Sequence, residues 1–365
     1  MFVPTKRGLV SWGRLRQLLP FDREVLEKAA ENAARSYSPV HDVDAIKGKE
    51  RHLDRPHGLL KKIQKSSNRM LRQLWEAPSG MYGGIRKRSA KHNAEAHCGT
   101  LLLGKIDIRD YFPSITAHHV YRALMREVGC SRDIAALLTR ITTVGNHLPQ
   151  GAPSSSTIAN MVLAPYFCEL QTLVRPLGVT PTDFVDDIGI SGTRAREATM
   201  IAVKLLGRYG FRVKPTKVKV MPRQHAAELL TGYNVNCKRP SVPRRSRHRM
   251  REKALRAGRD PAAPRYVIQG LRAQALYLAT ANEKQGAALT RLLDRVVTHD
   301  GVPGQKPKSR IRVPCTCHLG VGLGAAKTID SPKNAKLGDG VCHPPTDRAS
   351  RGRAVDAGRG PVPAM

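Results

Sequence analysis

Three aspartates carry the chemistry that this sequence suggests. Asp107 closes the run LLLGKID, and Asp186 and Asp187 stand side by side in TDFVDDIGISG. Both stretches are apolar and β-branched, and an isolated charge there costs several kcal/mol unless it is paired or bound to a metal. LLLGKIDI reads as a buried strand, and DFV and IGI as two short strands with the acids at the turn between them. If that turn lies beside the end of the Asp107 strand, three carboxylates meet at one point. Hard divalent cations take such oxygen ligands, and a pair of them supports phosphoryl transfer. A DD pair alone is usually only a turn, because Asp tolerates turn angles and bonds its own backbone. The third acid and the apolar flanks lift this pair above that reading.

The surrounding elements must bring the acids together. Asp22 to Tyr37 reads as a helix capped by Asp22, and KGKERHLDRP as a basic irregular segment. LLKKIQKSSNRMLRQLW is amphipathic at helical spacing with a Lys/Arg-rich outer face. GMYGGIRKRSAKHNAEAHCG is Gly-rich and basic, so it reads as a loop suited to a nucleic-acid backbone or a nucleotide's phosphates. TAHHVYRALMREVGC and SRDIAALLTRITTVG are two core helices, the first closed by Gly129 and the second capped by Ser131. HLPQGAPSSST then leads into a helix start whose small residues leave backbone N–H groups open to approach. Beyond the acids come the helix REATMIAVKLLGRYG, the basic strand pair FRVKPTKVKVM and the hairpin ELLTGYNVN. A very basic linker follows, opening into a helix, and then two helices around ATANEK. This order predicts an α+β fold with a mostly antiparallel sheet backed by helices.

The 365 residues carry a formal charge of +33, which points to a polyanionic partner, with nucleic acid ahead of a membrane surface. No apolar run is long enough to span a bilayer, and the start lacks the pattern of a signal peptide. A cytoplasmic location is therefore expected. The seven cysteines, Cys98, Cys130, Cys168, Cys237, Cys315, Cys317 and Cys342, are scattered and do not form a disulfide framework. Cys315, Cys317 and His318 with Cys342 and His343 match no trusted zinc spacing. From about Asp300 onward Gly, Pro, Lys and Arg dominate, and a disordered tail is expected.

The residues resemble a known family. KIDIRDYFPSI resembles the first catalytic motif of reverse transcriptases, LPQGAPSSSTIAN their LPQG loop and helix, and FVDD their tyrosine-x-Asp-Asp turn. GFRVKPTK is similar to the following motif with its lysine, and LLTGYNVN to the primer-grip hairpin. Within that family the bacterial retron type is nearest, through RHLDRPHGLLKKIQ, NAEAH and LTG. The likeness runs from about Arg51 to Val297, and the tail beyond resembles nothing in the family. Phe184 and Val185 depart from the usual Tyr and Ala of the turn, which leaves the metal ligands intact but bears on contacts to the primer end.

The resemblance implies a right-hand polymerase with fingers, an antiparallel palm and a thumb. It implies a helical extension over 1–50, fingers and palm over 51–237, a helical thumb over 238–299 and a basic tail over 300–365. Asp107, Asp186 and Asp187 would hold two Mg²⁺ ions, with Mn²⁺ as a substitute. Phe112 would lie under the incoming sugar and exclude a 2′-hydroxyl, and Gln150 and Gly151 would pack against nucleotide and template. Lys217 would stand near the leaving pyrophosphate, Arg86 and Lys87 would reach the triphosphate, and Asp110 would be a secondary, structural acid. The implied activity is RNA-directed DNA synthesis from dNTPs on a structured RNA template. Priming would come from a DNA 3′ end or an RNA 2′-hydroxyl, and the enzyme would serve antiphage defence beside an effector protein. Two other readings compete. A group II intron-type enzyme would show a maturase or endonuclease domain after the thumb, and none is seen. A non-enzymatic RNA-binding protein with a relic palm would have no reason to keep buried acids.

Overall fold

The chain enters through two short helices, α1 (Trp12–Leu18) and α2 (Arg23–Glu31), which bury Leu15, Leu26 and Ala30. The computed structural model describes residues 8–43, 50–222, 229–259, 265–294 and 313–314. The helix expected to reach Tyr37 stops at Glu31. Asn32 Nδ2 donates to the Lys28 carbonyl and Ser36 Oγ to the Asn32 carbonyl, and the chain tightens into a 3₁₀ turn over Ala34–Ser36.

Next comes a hairpin where an irregular segment was expected. Strands β1 (Tyr37–Val43) and β2 (Glu50–Pro56) pair antiparallel, with Tyr37 opposite Pro56 and His41 opposite His52. Pro39 and the charged residues argue against a strand in sequence, yet β2 gains an outside partner. The Asp54 N–H donates to the Gln150 carbonyl at 2.9 Å. Amphipathic α3 (Gly58–Leu74) then buries Leu60, Ile63, Met70 and Leu71. The Gly-rich basic stretch contains a short helix, α4 (Ala90–Glu95), whose Ser89 cap accepts from the His92 N–H.

Strand β3 (Leu102–Asp107) follows, then the single turn α5 (Tyr111–Ser114). Helix α6 (Ala117–Val128) carries a capping box formed by Thr116 and His119 and ends on Gly129 in the left-handed conformation. Helix α7 (Arg132–Thr142) packs beside it, and α8 (Ser155–Val174) is buried nearly all round. Strands β4 (Thr180–Phe184) and β5 (Asp187–Ser191) flank the acid turn, and α9 (Ala195–Arg208) comes next. Of the expected strand pair in FRVKPTKVKVM only the second arm is a strand, β6 (Lys219–Pro222). The first arm makes a single bridge from Val213 to Ile108. A hairpin of β7 (Leu229–Leu230) and β8 (Tyr233–Asn234) leads to α10 (Arg244–Arg259), α11 (Arg265–Ala281) and α12 (Glu283–Asp294). The proposed tail and its Cys/His residues lie outside the described residues, apart from a two-residue strand, β9 (Val313–Pro314).

The central sheet is antiparallel throughout, in the order β4-β5-β3-β6. Alternation along β3 sends Gly104 and Ile106 to one face and Leu103, Lys105 and Asp107 to the other. The first face lies on helices α8 and α9, where Ile106, Ile188 and Ile190 join the main core. Gly104 packs so tightly against Thr199 that no side chain fits there. On the second face a smaller core gathers Leu103, Ala94, Leu230 and Tyr233 with the buried residues of α10, α11 and α12. That cluster covers one end of the face. Lys105, Asp107, Phe184 and Asp187 are at the other end and are only partly buried.

Candidate active site

Sheet register brings the acids together. Asp107 lies directly opposite Asp187, and Phe184 directly opposite Asp187 on its other side. Asp186 sits in the two-residue turn, where its carbonyl accepts from the Ile108 N–H at 2.9 Å. The Asp107 carbonyl accepts from the Lys214 N–H at 3.2 Å, so the backbone on both sides of Asp107 is tied down. Like charges directly opposite one another in a sheet repel. One cation answers that repulsion: Lys105 Nζ stands 3.4 Å from Asp187 Oδ1, both side chains about a quarter exposed (27% and 26%).

The turn is strained and braced from outside. Val185 has φ of 67°, a left-handed conformation that a β-branched residue rarely adopts. The Gly-rich loop runs alongside β4: Tyr82 N–H donates to the Asp183 carbonyl at 2.8 Å, and Asp183 N–H to the Gly80 carbonyl at 2.9 Å. A Cβ on Gly83 would come within 2.5 Å of Val185 Cγ2, so only glycine allows the loop this close to the turn. Asn160 Nδ2 on α8 holds the Gly83 carbonyl at 2.7 Å.

The other residues expected at the site fall as follows. Phe112 is half-buried on α5, beside Tyr111, whose hydroxyl donates to the Ala159 carbonyl. Gln150 and Gly151 form the loop against β2, Gly151 with φ of 111°. Nearby, His147 Nε2 meets Asp54 Oδ2 at 3.2 Å, and this bond raises the imidazole pKa. Arg86 and Lys87 are exposed on the Gly-rich loop. Arg86 lines a basic cavity of about 770 Å³ with Arg14, Arg72, Arg88, Trp75 and Asn160, and Phe112, Gln150 and the three acids do not line it. Lys217 is exposed on a 3₁₀ turn, while Lys214 approaches Asp110 at 3.9 Å. Asp110 also pairs with Arg109 and stands away from the core.

Three further residues shape the site: Lys105 and Asp183, which the sequence does not single out, and His97, which it marks within NAEAH. Lys105 faces Asp187 only by virtue of the strand register, which local sequence does not specify. His97 is buried with Nδ1 2.7 Å from Ser191 Oγ and Nε2 2.7 Å from Thr182 Oγ1, which staples α4 to the sheet. Its burial lowers the pKa to about 4, so it is neutral. Asp183 is fully buried on the core face, where its carboxylate has no side-chain partner among the described residues and only the Val185 N–H turned toward it. Burial, and then the charge of Asp186, push its pKa well above the carboxylate range.

Among the described residues, no group of three His, Cys, Asp or Glu side chains stands ready to hold a metal ion. The donor set nevertheless fits a hard divalent cation. It consists of carboxylate oxygens, partly exposed, with two of the acids forced together by register and Lys105 paired with one of them.

An antiparallel sheet backed by two helices, with paired acids at a strand end and a turn and a helical lobe across the sheet, is the fingers–palm–thumb architecture of template-directed polymerases. The family model for reverse transcriptase (RNA-dependent DNA polymerase) matches residues 41–235, and the chain belongs to that family. It is 30% identical to the retron Mx65 reverse transcriptase of Myxococcus xanthus over 267 residues, 67% of this chain and 61% of that protein. It is 31% identical to the retron Mx162 reverse transcriptase of the same species, over 56% of this chain and 44% of that protein. A shorter match, 35% identical over 30% of the chain and 34% of its relative, is to the retron Ec86 reverse transcriptase of Escherichia coli. The chain thus spans 61% and 44% of the length of the two Myxococcus relatives.

Asp183 yields a pH prediction. Its folded-state pKa is raised, so its contribution to stability is fully present below the ordinary carboxylate range and declines as pH rises toward the folded value. Asp183→Asn keeps the shape and removes the proton dependence. Thermal melts should show the variant gaining steadily over wild type as pH rises above the ordinary carboxylate range. An offset that does not change with pH would show that Asp183 is ionised in the fold.

Proposed function

We propose that the chain is a retron-type reverse transcriptase that adds dNTPs to a primer on a structured RNA template. The observation that carries this reading is the register that sets Asp107 opposite Asp187, one residue from Asp186, on a half-open sheet face. Asp107, Asp186 and Asp187 would hold two Mg²⁺ ions, or Mn²⁺ in their place. Bound there, the ions supply a lowered pKa at the attacking hydroxyl and a charge clamp on the triphosphate.

The chain's own residues do the rest. Phe112, beside the Asp107 strand, carries the choice of deoxyribose by occupying the space a 2′-hydroxyl needs. Gln150 and Gly151 form a nucleotide-side wall whose backbone is held by β2. Gly151, with φ of 111°, lets the main chain turn close against Leu53 and Arg55 of β2. Arg86 and Lys87 offer positive charge to the phosphates, and the arginine-lined cavity beside them suits a phosphate backbone. Lys217, on its exposed turn, is free to reach the leaving pyrophosphate as proton donor or counter-charge, and Lys214 lies nearer to Asp107. Folded RNA is read chiefly through shape and backbone, which agrees with a chain of net charge +33. No helix among the described residues is long and apolar enough to cross a membrane. A cytoplasmic setting and an associated effector protein remain part of the proposal.

Primer extension on poly(rA)/oligo(dT) with Mg²⁺ and dTTP tests the activity. Wild type should incorporate dTMP, and Asp186→Asn should lose about a hundredfold or more of that rate while RNA binding stays within about twofold. No incorporation by wild type, under conditions where an established reverse transcriptase works, would overturn the enzyme reading. On the same substrate, with rNTPs in competition, Phe112→Ala should relax the preference for deoxyribose by roughly tenfold to a hundredfold. Unchanged discrimination would remove Phe112 from the sugar site.

A further inference from the structure

We propose that Lys105 is the resident counter-ion of the Asp107–Asp187 pair, and that a divalent ion enters by exchanging with its ammonium. The inference rests on the metal-binding reading of the acids given above. Strand alternation puts Lys105 and Asp107 on one face of β3, and the register places Lys105 opposite Gly189, diagonal to Asp187. Lys105 Nζ is 3.4 Å from Asp187 Oδ1.

The surroundings favour this assignment. Gly189 brings no side chain to the strip between Lys105 and the wall behind it, and the nearest group above Gly189 is His97 Nε2. That imidazole, held between Ser191 and Thr182, carries no charge to repel the ammonium. Lys219 lies across β3 from Lys105 in register but is exposed, so its charge is largely screened. The ammonium therefore finds its compensation at Asp187. Without it, two carboxylates face each other directly across paired strands. Lys105 is thus a positioning residue: in the metal-free chain its ammonium offsets the repulsion between two carboxylates that the strand register holds opposite each other. Because one cation must leave as another arrives, the lysine also weakens metal binding until an anion, such as a substrate phosphate, accepts the released ammonium. Nucleotide and metal then favour each other's binding, which is a coupling free energy between two sites.

The test is Mn²⁺ binding to the whole chain without nucleic acid or nucleotide, followed by the electron-spin resonance signal of the free ion. Lys105→Met should bind Mn²⁺ about tenfold more tightly than wild type at low salt, a coupling of ordinary size. In chelator it should melt at a lower temperature than wild type, and Mn²⁺ should close that gap. Lys105→Arg, which keeps the charge, should bind as wild type does. Equal or weaker Mn²⁺ affinity in Lys105→Met overturns the counter-ion role. Should Lys105→Met fail to fold, Lys105→Gln is judged by the same affinity comparison. Asp187→Asn separates the two layers of the argument. If wild type and Asp187→Asn bind Mn²⁺ alike, the acids are not the metal site and both readings fall. If wild type exceeds Asp187→Asn while Lys105→Met merely equals wild type, only the counter-ion role falls.

Discussion

The direct opposition of Asp107 and Asp187 across two antiparallel strands is the constraint on which the rest of this molecule depends. A sheet left to itself avoids like charges in that position. Here the register is fixed by the other face, where Ile106, Ile188 and Ile190 are fully buried against α8 and α9 and cannot slip by one residue without entering solvent. Hydrophobic packing on one side thus holds an electrostatically unfavourable pair together on the other. Cations then offset the repulsion, with Lys105 in the chain as it stands and divalent ions in the proposed working state.

The same logic extends outward from the pair. The turn between β4 and β5 stores strain at Val185, and the Gly-rich loop braces it through Gly83, Tyr82 and the Asn160 amide. Arg86 and Lys87 sit a few residues along that loop, so groups proposed to meet the nucleotide are mechanically continuous with the groups proposed to hold metal. On the other side of the site, β2 grips the Gln150 backbone and His147 reaches Asp54. His97, α4 and the β7–β8 hairpin close the far end of the sheet face. What remains open is the strip bearing the acids.

Much of this was legible because local patterns suffice for it. The strand ending at Asp107, the two strands around the acid turn, the capped helix after Thr116 and the paired helices around ATANEK all follow from periodicity and end signals. The hairpin of β1 and β2 was not legible, since Pro39 and its charged neighbours oppose a strand and the compensating bond comes from Gln150, about a hundred residues away. Lys105 and Asp183 were hidden for a related reason. Each stood in a recognised strand, but which face a strand residue occupies, and whom it meets, is set by register. Asp183, in the strand read from DFV, is a fully buried carboxyl on the core face.

The central claim is that these three acids hold two divalent ions against a nucleotide. It is tested most directly by anomalous diffraction from Mn²⁺ in crystals of the chain with an RNA template, a primer and a non-hydrolysable dNTP. The account predicts two peaks about 3.5–4 Å apart, ligated by Asp107, Asp186 and Asp187 together with the nucleotide phosphates. Peaks located away from these carboxylates, or none in crystals that contain the bound nucleotide, would contradict it.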